Sequence, residues 1–188
     1  MLRVAGPSTR LGGALVLAVV LAAAVLASGC GNTDPESDLT VTEGQPVKLG
    51  DLLYNVQITR FLNPSDPEDK AYLSGQPPPA NNQFYLGVFM QVQNEADSAQ
   101  RVATRFTVVD TEGTVFKTIP SHSLFALEPG AKVAADGELP EPETTAASGP
   151  IQGLMVLFRI DEEAIQARPL TLHIPSPGGP VAEVELDI

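Results

Sequence analysis

"VAEVELDI", residues Val181–Ile188, alternates with a period of two: Val184, Leu186 and Ile188 fall on one side of an extended chain, Glu183, Glu185 and Asp187 on the other. Successive side chains of a strand point to opposite faces, so this stretch reads as a strand with one dry and one wet face. Working back, "PLTLHIP" sets Leu170, Leu172 and Ile174 against Thr171 and His173. "LLYNVQITRF" sets Tyr54, Val56 and Ile58 against Leu53, Asn55, Gln57 and Thr59. From Val47 onward short apolar runs are separated by Pro, Gly, Asn and Asp, with no sustained helical period.

Two further runs, "QFYLGVFMQVQN" (Gln83–Asn94) and "GLMVLFRI" (Gly153–Ile160), are apolar on both faces and are predicted to be central strands. If Phe84, Leu86, Val88 and Met90 fill the interior with Leu154, Val156 and Phe158, then Tyr85, Phe89, Met155 and Leu157 point outward. That outward cluster has two readings. Either the proline-rich segment from Phe61 to Ala80, carrying Tyr72 and Leu73, folds over it, or it stays open as an interaction face anchored by Tyr85.

"TRFTVVDTEGTVFKTI" (Thr104–Ile119) reads as a hairpin closed by Asp-Thr-Glu-Gly, with Gly113 in the left-handed conformation. A further strand is expected over Ala131–Leu139, and one short helix over Asp161–Ala167, which opens with Asp and two Glu. The sum is about seven or eight strands, the pattern of an all-β, immunoglobulin-like antiparallel sandwich. The Cys…Trp…Cys core of antibody domains is absent, since the chain has no Trp and one Cys. From Leu53 to Phe116 the order of "YNVQITRF", a long loop, then "FYLGVFMQVQNEADSAQRVATRFTVVDTEGTVF" resembles the immunoglobulin-like domains of unknown function carried by bacterial lipoproteins. Those domains are akin to secreted immunoprotective mycobacterial antigens. The resemblance implies a sandwich and brings no known activity with it.

The N-terminus has a different texture. Arg3 and Arg10 precede an uncharged run from Leu11 to Leu26, then come the small residues Ala27, Ser28 and Gly29, and then Cys30, the sole cysteine. This is a signal-peptide layout. It resembles the lipobox of bacterial lipoproteins, with Ala27 where that family prefers Leu. The resemblance implies that Cys30 is lipidated and becomes the mature N-terminus. An ordinary secretory signal, or a retained span of about 19 apolar residues, is the alternative. The expected organisation is a signal peptide over 1–29, a lipidated cysteine with a flexible acidic tether over 30–46, and a sandwich over 47–188. The implied location is the extracytoplasmic face of the cell membrane, held through the lipid.

Composition restricts partners. The 188 residues carry a net charge of −12, and loss of Met1–Gly29 removes two arginines and no acid, giving −14. Such a chain repels nucleic acid and anionic headgroups. No phosphate loop, dinucleotide fingerprint, zinc-protease motif, nucleophile elbow or CxxC pair occurs. His122, His173, Met90 and Met155 are copper-type donors without ligand spacing. Asp66, Glu68 and Asp69 gather in "NPSDPEDK" without calcium-loop order. Glu141 and Glu143 sit between prolines and lack the burial that separates an acid from a base. No cofactor, metal or catalytic residue is therefore expected. The reading is a non-catalytic envelope module that binds a protein or ligand or serves structurally; the alternative is an envelope metal carrier or an enzyme with a loop-assembled site.

Overall fold

Segments that alternate, or are apolar on both faces, need sheet partners, and the computed structural model, which describes residues 39–188, arranges them as two facing sheets. The strands are β1 (Thr40–Thr42), β2 (Pro46–Leu49), β3 (Leu52–Leu62), β4 (Gln83–Asn94), β5 (Gln100–Arg101), β6 (Thr107–Val109), β7 (Val115–Lys117), β8 (Lys132–Val133), β9 (Glu138–Leu139), β10 (Leu154–Asp161), β11 (Leu170–Pro175) and β12 (Val181–Leu186). One sheet has the order β1-β12-β11-β6-β7, and the other β10-β4-β3-β2 with β9 also pairing β4; β5 and β8 pair separately. The orders β12-β11-β6-β7 and β3-β4-β10 correspond to G-F-C-C′ and A-B-E of an immunoglobulin sandwich. The expected fold class holds. The larger strand number comes from two- and three-residue pieces such as β5, β8 and β9.

Between the sheets lie Leu86, Val88, Met90, Phe106, Val156, Phe158, Leu170, Leu172 and Ile174, each at 3% exposure or less. Each such side chain contributes about 1.5–3 kcal/mol by leaving water. With a single cysteine in the chain, no internal disulfide assists this burial. The hairpin β6–β7 closes as expected: the carboxylate of Asp110 accepts from the N–H groups of Glu112 and Thr114, and Gly113 has φ 84°.

β3 departs from simple alternation. Val56 pairs with Met90 but Ile58 pairs with Phe89, so Gln57 is an extra residue in a β-bulge. Because side-chain direction has a period of two, one inserted residue exchanges the two faces beyond it. Ile58, expected inside with Tyr54 and Val56, is 40% exposed, and Thr59, expected outside, is buried. The Thr59 N–H is taken by the Glu43 carboxylate at 2.9 Å. Arg60 and Leu62 are thereby turned to the outer face.

Other expectations are corrected. The strand predicted over Ala131–Leu139 is two pieces, β8 and β9, interrupted by a turn with Asp136 at φ 50°. The helix predicted over Asp161–Ala167 is one 3₁₀ turn, Glu162–Ile165. A four-residue helix α1 (Thr145–Ser148), capped by the Thr144 side chain, was not expected among the prolines. The tether expected through residue 46 ends sooner: β1 pairs in parallel with β12, Thr40 opposite Glu183. Cys30, the signal segment and most of the tether lie outside the described residues.

Candidate interaction surface

The four residues expected on an outward face are placed on it and then covered. Tyr85 and Phe89 have no exposed surface, Met155 has 1% and Leu157 2%. They form a second apolar cluster with Leu62, Tyr72 and Leu73, bordered by Ile119, Phe125 and Ile151. The open-face reading is thus overturned. A sheet face this apolar is costly to leave in water, and the segment between β3 and β4 supplies the cover.

That segment is pinned at several points. Arg60 Nη2 donates to Asp69 Oδ1 at 2.6 Å, and the Asn63 N–H donates to Asp69 Oδ2 at 2.8 Å. Ser123 Oγ donates to the Ala71 carbonyl and Gln76 Nε2 to the Pro120 carbonyl. The Tyr85 hydroxyl donates to the Pro77 carbonyl, while the Arg159 guanidinium lies over the Tyr85 ring. Tyr72 meets Phe89 edge-on, with ring centroids 5.0 Å apart. Burial pushes the Tyr72 phenol above its ordinary value, against the pull of Arg60.

Asp69 therefore has a role that sequence reasoning missed. Its side chain is 2% exposed, whereas Arg60 keeps 34%. The signal was a lone Arg on a strand nine residues before an Asp, which nothing local connects. Asp66 and Glu68 remain outside, with the Asp66 carboxylate accepting from the Glu68 N–H, so the three acids do not converge.

The copper-type donors are also kept apart. Met90 fills the sandwich interior and Met155 the outer cluster, on opposite faces of one sheet. His173 lies in the other sheet, 3.9 Å from Glu183. Glu141 and Glu143 are exposed. Among the described residues, no group of three or more His, Cys, Asp or Glu side chains is placed to hold a metal ion.

Open space remains at the root of the covering segment and, separately, in a cavity of about 460 Å³ beside Leu124, Leu139 and Leu154. β3 and β4 have eleven and twelve residues, while β11 and β12 opposite have six each. Phe84, in register with Leu86 and expected to fill the interior, is instead 36% exposed, because the long ribbon overruns the facing sheet. Its ring meets Phe61 at 5.9 Å and 62°. Around them is a cavity of about 460 Å³, completed by Leu62, Asn63, Pro64, Pro79, Ala80, Asn81 and Gln83. A smaller cavity of about 270 Å³ opens beside β10, where Thr118–Ser121 and Ala126–Pro129 diverge.

No protein-family model matches the chain. No curated protein matches it either. Among solved structures it is similar to an uncharacterized β-sandwich protein of Clostridium difficile 630, with TM-score 0.49 and 10% identity over 81% of this chain and 96% of that one. It is also similar to the yjhA protein of Bacillus subtilis, with TM-score 0.45 and 10% identity over 78% of this chain and 98% of that one. A third is ycdA of Bacillus subtilis, a candidate lipoprotein, with TM-score 0.49 and 15% identity over 78% of this chain and 39% of that one.

Proposed function

We propose that this chain is a lipid-anchored, extracytoplasmic β-sandwich module of a bacterial cell envelope, one that binds a partner or serves structurally and carries no chemistry of its own. The observation that carries the reading is the placement of the sole cysteine, Cys30, directly after Ala27-Ser28-Gly29 at the end of the apolar run. Residues 1–29 are then a signal peptide and Cys30 the membrane attachment point. Gly31–Asp38, polar and acidic, form a tether reaching at most about 30 Å. The tether meets the sandwich at β1, which is hydrogen-bonded along β12, so tension on the anchor is borne by the sheet ladder. Among the described residues no helix is long and apolar enough to cross a membrane.

Each buried methylene contributes about 0.8 kcal/mol, and two or more long acyl chains anchor a protein stably on a bilayer. The test is mass spectrometry of the N-terminal peptide from the full chain expressed in a bacterium, with detergent phase partitioning of the wild type and Cys30→Ala. The expected result is a diacylglyceryl-modified peptide beginning at Cys30, with the variant uncleaved or lost from the detergent phase. An unmodified thiol in a protein that leaves the membrane fraction would refute it.

A further inference from the structure

Among the described residues Leu124 is 89% exposed, far above the next large apolar side chain, Val115 at 53%. It does not sit on a loose tip. Its neighbour Ser123 is buried, with Oγ donating to the Ala71 carbonyl and accepting from the Phe125 N–H, and the Phe125 carbonyl accepts from the Met155 N–H of β10. Nor is it isolated, as single surface leucines often are. The cavity of about 460 Å³ beside it is lined by Leu139, Pro140, Ala146 and Leu154 as well. We propose that this cavity is a docking groove for a protein partner, taking an apolar side chain from a segment that carries Lys or Arg on either side of it. The proposal rests on the binding half of the reading above and is independent of the lipid anchor.

The first argument is charge. Glu141 and Glu143 line the cavity, both exposed, and no cation lines it. Neither carboxylate has an ionic partner: the pairs among the described residues are Lys48–Glu95, Arg60–Asp69 and the His173–Glu183 contact. A basic segment supplies the missing charge, and complementary charge speeds encounter as well as fixing register.

The second is shape. Leu139 and Glu141 also line a cavity of about 290 Å³, so the two adjoin and make a groove, not a single hole. There Glu138 adds a third carboxylate, and Lys132 is the only cation of the lining. A groove that joins apolar side chains to a net excess of acid suits a chain segment with an apolar anchor more than a compact solute. Part of it is set in advance: Thr144 Oγ1 donates to the Glu141 carbonyl at 2.7 Å and accepts from the Ala147 N–H at 3.3 Å. Preorganised contacts lower the cost of ordering on binding.

The third argument weighs the rival occupants. An anionic bilayer is repelled by the same carboxylates. A second copy related by a two-fold axis brings Glu141 and Glu143 against their own equivalents, in a chain of net charge −12, and like charges across an interface oppose it.

The experiment uses the full-length protein in non-ionic detergent micelles, with fluorescence anisotropy of three labelled hexapeptides: Leu-Phe between pairs of lysines, Leu-Phe between pairs of glutamates, and Ser-Ser between pairs of lysines. The first alone is expected to bind, and less tightly as salt rises. Leu124→Ser should weaken it about tenfold, and Glu141→Gln with Glu143→Gln several-fold with a flatter salt dependence. Val115→Ser, at an exposed residue of β7, should leave it unaltered. All four side chains are exposed, so the circular dichroism spectra should match the wild type. No binding of the first peptide, equal binding of either control, or binding that survives Leu124→Ser would each overturn the proposal, as would a Leu124-dependent dimer in sedimentation velocity. The mass of the N-terminal peptide, measured on the same sample, reports on the anchor separately.

Discussion

Replacing Phe89 with alanine distinguishes a covered outer face from an open one, because the two arrangements predict opposite outcomes. Phe89 has no exposed surface, meets the Tyr72 ring edge-on at 5.0 Å and belongs to the cluster that the β3–β4 segment covers. Truncating a buried Phe to Ala costs about 3–5 kcal/mol, a transfer contribution plus a cavity contribution. The second depends on how far the surroundings collapse into the void. Here the cover is tied by Arg60–Asp69, Ser123–Ala71 and Gln76–Pro120, so it follows the missing ring only in part. The upper part of the range is therefore expected, roughly 4–5 kcal/mol out of the 5–15 typical of a domain. At about 2–4 °C per kcal/mol for a domain of this size, the melting temperature should fall by roughly 8–20 °C. Calorimetry and urea unfolding of the full chain give both values. A loss below about 1 kcal/mol, with any effect confined to partner capture, would refute the covered arrangement.

Asp69→Asn keeps the shape but removes the charge facing Arg60, and should cost about 1–3 kcal/mol, less than a fully buried pair because Arg60 is one-third exposed. Limited proteolysis should then cut between Asn63 and Ala80 sooner than in the wild type; unchanged cleavage would show that the ion pair does not pin the segment. Gly87→Ala would bring a Cβ to 3.0 Å from Leu62 Cδ1 and Phe89 Cε2, and should destabilise by about 1–3 kcal/mol in urea unfolding. Burial pushes the Tyr54 phenol above its ordinary value, outweighing the hydrogen bond from the Ala103 N–H. The folded state thus holds this proton to higher pH than the unfolded chain, so the contribution is intact below pH ~10 and is lost as pH rises through the folded value. Tyr54→Phe should lower stability at neutral pH by about 1 kcal/mol and flatten the alkaline decline in chemical denaturation, with Tyr72 retaining part of it.

Much of the fold was legible because the forces that specify it act along the chain. Alternation in β11 and β12 set which residues meet the core, and Leu170, Leu172, Ile174, Val184 and Leu186 are all buried there. The double-sided apolar character of β4 announced a central strand, whereas β10, read the same way, stands at the end of its sheet with only isolated bridges from Thr118 and Ala126 beyond it; Asp110 with Gly113 announced a turn whose hydrogen bonds lie within five residues. The fate of the outer face was not legible at that level, because period two says only that Tyr85, Phe89, Met155 and Leu157 share a side. What covers that side is decided by Arg60 finding Asp69 and Tyr72 finding Phe89, contacts between segments that no local pattern links. Arg60 reaches its partner only because the bulge at Gln57 exchanged the faces of β3, and such an insertion shows only in its pairing with β4. Phe84 follows the same logic: its register was readable, yet its exposure depends on where the facing sheet stops. Sequence by itself determined direction and periodicity, which are properties of a single strand; only the tertiary structure decided cover and opening, which depend on what stands opposite.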